Sequence, residues 1–270
     1  MAHDSDSPWR RKPPSTGGPL PERSRRADAK AEMRLYGFNA VKAAFARRPE
    51  ALRKLYLAQE RIPQLQPLLK WCVAHRLGYR VVEEQDLQKL AASSHHEGVV
   101  ADMLREEPLA LDAWLGTLRE GPQCALWLDG VGNPHNLGAI LRSAAHFGAS
   151  AVLLPEDSEL ALSGAAARVA EGGAEAVRFV RLPRQDRAFV RLREAGFGLA
   201  ATVVDGGDDP FSIALPTRLV YVLGAEGEGM DRGLAGACDL RVSIPGSGAV
   251  ESLNVAAATA VLLAAWYSKR

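Results

Sequence analysis

The stretch DGVGNPHNLGAILR, residues 129–142, decides which fold we expect for this chain. It passes from a cluster of turn-forming residues into a helix whose apolar residues recur at the spacing of one buried face: Leu137, Ile140, Leu141 and Ala144. Asn136 stands at the mouth of this helix, and Arg142 lies off its apolar face. Two interpretations are open for this polar pair: a helix cap with a solvated arginine, or two members of a functional site.

The segments around this helix alternate between short apolar runs and helical patterns. Strands are predicted at residues 125–129, 151–154, 177–182, 198–204, 219–223 and 240–244. Because these runs are apolar on both faces and helices fill most of the gaps, the sheet should be mostly parallel and covered on both sides. The sequence therefore predicts an α/β fold.

The chain divides into four segments by composition and pattern. Residues 1–33 are rich in Pro, Gly, Ser and Arg and are expected to form a flexible tail. Residues 34–105 form a small α/β unit, with helices at 39–46, 64–75 and 84–92 and strands at 54–58, 79–82 and the end of HHEGVVADM. Residues 106–122 are typical of a linker with one amphipathic helix, and residues 123–270 form the larger domain, which should carry the chemistry.

Two neighbouring histidines in the small unit are tempting as catalytic groups. His95 and His96 cannot both face one site in an extended chain, because successive side chains point to opposite sides. A structural or RNA-facing role is therefore favoured over catalysis.

Composition narrows the class of protein. The chain has 270 residues and a formal net charge of +1, which argues against a bulk polycation. Its 3 cysteines lie far apart without metal-ligand spacing, so we expect reduced thiols in a cytoplasmic protein, without a metal site. The N-terminus lacks the apolar run of a secretory signal. The apolar stretch 255–266 is shorter than the roughly 20 residues of a membrane span, so no membrane partner is expected.

Three glycine-rich loops follow predicted strands, where ligands of parallel sheets bind. They are residues 129–142, the loop GAEGEGM at 224–230, and the loop IPGSGAVESLNV at 244–255. The order G-x-x-G-x-G is the reverse of the dinucleotide fingerprint, and no G-K-[ST] follows any of the loops. Neither NAD nor ATP is supported as a ligand.

Taken together, the three loops resemble the three motifs of the SpoU (TrmH-like) family of RNA ribose 2′-O-methyltransferases, in the same order and spacing. RVAEGGAEAVRFVRL, which begins at Arg168, resembles the family segment between the first two motifs. LYGFNAVKAAF and HHEGVVADM resemble a ribosomal-protein-like RNA-binding domain. Two residues depart from the family pattern near the cofactor pocket: Gly246 stands where Met is frequent, and Ala256 where Ser is common.

The resemblance implies a sheet with a deep C-terminal trefoil knot that holds S-adenosylmethionine. Carried over to this sequence, the cofactor-binding positions are Gly224, Ile244, Leu253, Ala200, Ala201 and Thr202. The resemblance also implies a homodimer with the active site at the interface. The RNA substrate is expected to be ribosomal rather than transfer RNA, because GAEGEGM and RVAEGGAE look closer to the ribosomal branch.

Five residues would carry the reaction: Arg142, Glu226, Ser252, Asn254 and Asn136. Arg142 would act on the ribose hydroxyl, either as a base or by stabilising the developing alkoxide, and the second is physically easier for a guanidinium. Glu226 would orient Arg142 or another donor, and Asn136 would fix the first loop or contact the substrate. Ser252 and Asn254 open the last helix, so helix capping is the competing interpretation for them.

Two other functions stay open at this point. A catalytically inactive RNA-binding assembly factor on the same fold would be expected to have lost Arg142, Glu226 or Asn254, yet the sequence retains all three. A methyltransferase acting on protein or on a small molecule is disfavoured by the RNA-binding-like N-terminal unit.

Overall fold

A computed structural model describes residues 32–225 and 229–270, and residues 33–270 form one compact unit. The expected tail, apart from its last two residues, and Glu226 lie outside the described residues. None of the helices in the described part is long and apolar enough to cross a membrane.

The first half of the unit is a four-stranded sheet with three helices. Its elements are β1 (Glu32–Tyr36), α1 (Phe38–Arg47), β2 (Leu52–Leu57), α2 (Gln66–Ala74), β3 (Tyr79–Val81), α3 (Glu84–Ala91) and β4 (Val99–Leu104). The strand order is β1-β4-β2-β3, with β2 antiparallel to β4 and parallel to β3. The helices and the other strands agree with the predicted ones, whereas β1 has no counterpart in the prediction.

The second half is a seven-stranded parallel sheet, which confirms the α/β prediction. Its elements are β5 (Leu109–Ala110), α4 (Leu111–Leu115), β6 (Gln123–Leu128), α5 (Pro134–Phe147), β7 (Ala151–Leu154), α6 (Gly164–Ala170), α7 (Gly173–Ala176), β8 (Arg178–Arg181), α8 (Gln185–Glu194), β9 (Gly198–Thr202), β10 (Arg218–Leu223), α9 (Arg232–Ala237), β11 (Leu240–Val242) and α10 (Val255–Tyr267). The strand order is β11-β9-β10-β6-β7-β8-β5.

Helices cover both faces of this sheet, because successive strand residues point to opposite sides. On one face, Leu126 and Leu128 of β6 pack with residues of α5, α6, α7 and α10. On the other face, Ala125 and Trp127 pack with residues of α4, α8 and α9. The near-continuous apolar runs of the sequence are thus explained by burial on both sides.

The place for a ligand follows from this topology. Strands β6 and β10 are neighbours, but α5 leaves β6 on one face and α9 leaves β10 on the other. Such a reversal opens a crevice at the carboxyl ends of the strands, where ligands of α/β sheets bind. The three glycine-rich loops all emerge at this edge.

The loop after β9 lies over the end of β11. Val203 N donates to Val242 O at 2.9 Å, and Ser243 N donates to Asp208 O at 3.0 Å. The close packing of these two chain segments is compatible with the trefoil knot, which stays a prediction.

Candidate functional site

The mouth of α5 shows how the first motif is built. Asn133 is the N-cap, and its side chain accepts a hydrogen bond of 2.9 Å from His135 N. Pro134 occupies the first helical position, where a missing N–H costs nothing. The capping interpretation of Asn136 is therefore wrong, since this residue is already inside the first turn. The four apolar residues of the predicted stripe are all buried.

Asn136 instead contacts the third motif. Its Oδ1 accepts a hydrogen bond of 3.1 Å from Asn254 Nδ2, although the two residues are 118 positions apart. Asn254 also caps α10, because its Oδ1 accepts from Ala256 N at 2.9 Å and from Ala257 N at 3.4 Å. One amide therefore holds a helix terminus and joins two motifs, so the capping and the site interpretations of Asn254 are compatible.

Arg142 is exposed and stands apart from this pair. It lies six residues after Asn136 on α5, which places it about 9 Å further along the helix axis. Within residues 32–225 and 229–270, we find no hydrogen bond or ion pair made by its guanidinium. A single chain therefore brings Asn136 and Asn254 together but does not bring Arg142 to them.

In the second motif, the end of the loop packs directly against Gly224 at its start. A Cβ at this position would lie 2.5 Å from Met230 N, so only glycine fits. Ala225 and Gly229 exchange two backbone hydrogen bonds of 3.1 Å across the base of the loop. Glu226, the predicted acid of this motif, lies between them and outside the described residues. Ser252 is exposed, two residues before the cap of α10.

The predicted cofactor positions converge only in part. Ala200 and Ala201 are fully buried in the middle of β9, so their side chains are inaccessible to a ligand. Thr202 ends the strand and donates its hydroxyl to Val222 O at 2.9 Å. Because β9 lies between β10 and β11, Gly224 and Ile244 follow strands that are two spacings, or about 10 Å, apart.

The edge around these positions fits an adenine-bearing cofactor. Ile244 is half-buried, and the side chain of Leu253 is 47% exposed. Partly exposed aliphatic side chains suit an aromatic base, and the loop backbone supplies the hydrogen-bonding groups such a base requires. Within the described ranges, we find no group of three acidic, histidine or cysteine side chains that could hold a metal ion.

Asp129, directly after β6, lies at the same edge of the sheet, although the sequence did not single it out. Burial raises the pKa of its carboxyl, and the nearby charges of Asp231 and Asp157 raise it further. Asp129 lines a cleft of about 690 Å³ beside the mouth of α5, together with Gly130 and Asp157. An aspartate between a strand and a glycine is typical of an ordinary turn, so nothing in the sequence sets Asp129 apart.

The histidine pair is separated as expected. His96 is buried, its Nδ1 accepts a hydrogen bond of 3.1 Å from Gly98 N, and its Nε2 lies 3.1 Å from Glu84 Oε1. His95 is exposed. The two rings therefore do not share a site.

Two family models match the chain. The model described as the SpoU rRNA Methylase family matches residues 123–264. The model described as RNA 2′-O ribose methyltransferase substrate binding matches residues 34–108.

Individual proteins are similar over most of the chain. A protein of Escherichia coli O157:H7 named "Uncharacterized tRNA/rRNA methyltransferase YfiF" is 37% identical over 97% of this chain and 80% of its own length. "23S rRNA (guanosine-2′-O-)-methyltransferase RlmB" of Bordetella pertussis is 39% identical over 85% of this chain and 94% of its own length. The solved structure of an AdoMet-bound rRNA methyltransferase from Sinorhizobium meliloti has a TM-score of 0.72 at 23% identity, covering 91% of this chain and 90% of that one, and establishes the shared fold.

Proposed function

Because the chain belongs to the SpoU rRNA methylase family, we propose that it transfers a methyl group from S-adenosylmethionine to a ribose 2′-hydroxyl of ribosomal RNA. The observation that carries this proposal is the hydrogen bond between Asn136 and Asn254. It joins the first and third motifs at the carboxyl edge of the sheet, beside the loop that begins at Gly224. Three motifs that are distant in sequence therefore face one crevice.

The choice of ribosomal RNA rests on the relatives. The Bordetella protein, named for the 2′-O-methylation of guanosine in 23S rRNA, is similar over both halves of this chain. The Escherichia coli protein is named for transfer or ribosomal RNA, so the same reaction on transfer RNA is the second candidate function. The matched substrate-binding model supports an RNA partner for residues 34–108 in either case.

When bound, S-adenosylmethionine would supply an activated methyl group, which the ribose 2′-oxygen would take from the sulfonium sulfur. The residues that would hold it are Gly224, Ile244 and Leu253, with Thr202 at the end of β9. Ala200 and Ala201 would contribute by keeping β9 in register between β10 and β11, because their side chains face the core on either side.

Arg142 acts on the hydroxyl in this proposal. A guanidinium keeps its proton near neutral pH, so a fixed positive charge that stabilises the developing alkoxide is easier than proton abstraction. The hydroxyl proton then leaves to water. A planar guanidinium can also clamp the adjoining phosphate with two hydrogen bonds. Glu226 would orient Arg142 or another donor, and Ser252 would line the pocket before the cap of α10.

The distance of Arg142 from the asparagine pair favours a homodimer, in which a second copy completes the site. Helix α10 is apolar all round, but only one of its faces is covered by the sheet and α5. Tyr267 at its end is 45% exposed, and the outward-facing Ala257 is exposed. Light scattering at micromolar concentration should give a dimer, and a monomer would contradict this part of the proposal.

Mapping of 2′-O-methyl groups in cellular RNA tests the proposed reaction. Cells that lack this protein should lose one or a few methyl groups from ribosomal RNA, and the purified protein with S-adenosylmethionine should restore them. Loss from transfer RNA alone would favour the second candidate, and no loss from either RNA would favour the inactive assembly factor. Calorimetry should show binding of S-adenosylmethionine and none of NADH.

A further inference from the structure

The segment RVAEGGAE, residues 168–175, has no role in the site described so far, yet it contacts both halves of the molecule. Arg168 contacts the small half at two points: Nη2 lies 2.6 Å from Glu97 Oε1, and Nε donates to His95 O at 3.2 Å. Glu171 accepts from Arg168 Nη1 at 2.9 Å and from Asn39 Nδ2 at 2.7 Å. This end of the segment therefore holds the start of α1 and the loop before β4.

Glu175, at the other end of the segment, makes the most buried ion pair of the described residues. Arg48 donates to both of its carboxylate oxygens, from Nε at 3.0 Å and from Nη2 at 2.9 Å. The two side chains are only 10% and 8% exposed. Burial opposes the charge of Arg48, but the hydrogen bonds and charge of Glu175 outweigh it and raise its pKa. Arg47 also donates to the backbone carbonyl of Glu175, which ties α7 to α1 a second time.

The opposite side of α7 rests directly on the backbone of α5. A Cβ at Gly173 would lie 2.8 Å from Leu141 O and 3.1 Å from Arg142 Cα. Four residues before Arg142 on α5, a Cβ at Gly138 would lie 2.6 Å from Ala166 O of α6. Because no side chain separates α7 from α5 at Gly173, a displacement of α7 changes the contact that holds the backbone at Arg142.

The geometry points to Glu175 as a positioning residue for Arg142, an inference that rests on the proposed function. Helix α7 has only four residues, so its own hydrogen bonds fix its position poorly and its neighbours decide where it lies. Glu175 fastens α7 to Arg48 in the small half, and the close contact at Gly173 makes the position of the Arg142 backbone depend on that of α7. The alignment of Arg142 then depends on how the small half packs against the large sheet and its helices.

A purely structural role for the ion pair makes a different prediction. If Glu175 only fastened the two halves, its loss would lower stability or RNA affinity, while bound RNA would still be methylated at the normal rate. If it positions Arg142, bound RNA is methylated more slowly, because misplacement of a catalytic group by about 1 Å can cost two orders of magnitude in rate.

Three variants of the full chain separate these outcomes. Glu175→Gln keeps the shape of the side chain and removes its charge. Arg47→Ala removes the second tie to α7 and a 3.7 Å ion pair with the half-exposed Glu106, but it leaves the Arg48–Glu175 pair intact, so it serves if Glu175→Gln fails to fold. Arg191→Ala is the matched control, because it removes an exposed ion pair, with Asp112 and Glu194, on the face of the large sheet opposite to α5 and α7.

The first measurement is single-turnover methylation at saturating RNA and cofactor, with dissociation constants for both. For Glu175→Gln we expect turnover to fall about tenfold with both constants within about twofold of wild type. Turnover by Arg47→Ala should fall less in the same direction, and turnover by Arg191→Ala should be unchanged. Normal turnover of bound RNA in a folded Glu175→Gln, or in Arg47→Ala if the former does not fold, would overturn the inference.

The second measurement is amide hydrogen exchange of residues 141–145, which needs no activity. Exchange should speed up there in Glu175→Gln and Arg47→Ala but not in Arg191→Ala. Unchanged exchange in both folded variants would also overturn the inference. If the wild-type protein methylated no RNA, the proposed function would fail, whereas the exchange data would still decide whether Glu175 holds the backbone at Arg142.

Discussion

Helix α5 has two contrasting surroundings. Its mouth lies at the exposed carboxyl edge of the sheet, where Asn136 binds Asn254 among loops. Its middle lies against α7 at the junction with the small half, where backbones touch at Gly173 and the Arg48–Glu175 pair is buried. Side chains at the edge can change without emptying the core, whereas a change at the junction moves the backbone. We therefore expect substitutions at the junction to lower stability more than substitutions at the edge.

The largest expected effect is at the junction. Glu175→Ala leaves the buried guanidinium of Arg48 without its carboxylate and should lower the free energy of unfolding by about 3–5 kcal/mol. Urea denaturation measures this loss. The double variant Arg48→Met, Glu175→Leu should recover most of it, because an apolar pair of similar volume replaces the two charges.

A loss below about 1 kcal/mol in Glu175→Ala would remove the contrast between the regions. The junction would then behave like an exposed pair such as Arg191–Asp112, whose side chains are 47% and 70% exposed.

The second effect concerns Arg142, whose side chain is exposed although its backbone touches the junction. Arg142→Ala should slow methyl transfer by about 100-fold, equivalent to about 2.7 kcal/mol of transition-state stabilisation. Arg142→Lys should not restore the rate, because a single ammonium cannot reproduce the planar fork. Single-turnover assays with cofactor titration measure both variants. Stability and cofactor affinity should hardly change, and a near-normal rate in Arg142→Ala would refute its catalytic role.

The third prediction separates the two roles of Asn254, which caps α10 and donates a hydrogen bond to Asn136. Asn254→Ala removes the cap of α10 and should cost about 1 kcal/mol in unfolding free energy. Asn136→Ala removes the same hydrogen bond between the motifs but leaves the cap intact, so its stability should stay within about 0.5 kcal/mol of wild type. Thermal unfolding distinguishes the two variants. Equal losses of stability would mean that the bond between the asparagines, rather than the cap, holds α10.

The smallest effect is a pH dependence at Asp129. Because its pKa is raised in the folded state, the folded chain holds this proton more tightly than the unfolded chain does. The associated stability is present below the unfolded pKa and is lost as pH rises through the folded pKa. Asp129→Asn should therefore stabilise the protein by a few tenths of a kcal/mol at pH 7 relative to its effect near pH 3.5. Thermal unfolding of both proteins at the two pH values measures this difference, and an equal effect of the substitution at both would contradict the prediction.

Much of the larger sheet could be predicted from the sequence, because strands buried on both faces leave continuous apolar runs. The strands that escaped prediction are at edges: β1 ends the small sheet, and β5, with Leu109 and Ala110, ends the large one. A strand of two residues has no periodicity to detect. Asn133 was also missed as the cap of α5, although the dipeptide Asn133–Pro134 is a good start signal for a helix.

Site residues could be predicted where a single sequence motif contains them, but contacts between distant motifs could not. Asn136 and Asn254 could each be chosen from a motif, but their hydrogen bond depends on how α10 returns to α5. The Arg48–Glu175 pair left no signal in the sequence, because the partners are 127 positions apart and neither belongs to a spacing that requires the other. Long-range pairing of this kind is decided by the packing of helices, which a single sequence does not specify.

The short strand β5 limits how far the chain can be truncated from its N-terminal side. It forms the outer edge of the large sheet by pairing with β8, and the helix after it buries Trp114 against Phe197. A fragment that began at residue 123, where the match to the methylase family begins, would lose both. It would expose the edge of β8 to other chains and leave a Trp-sized hole beneath it, which makes aggregation during expression the expected outcome. Truncation studies of the methylase half should therefore start ahead of Leu109.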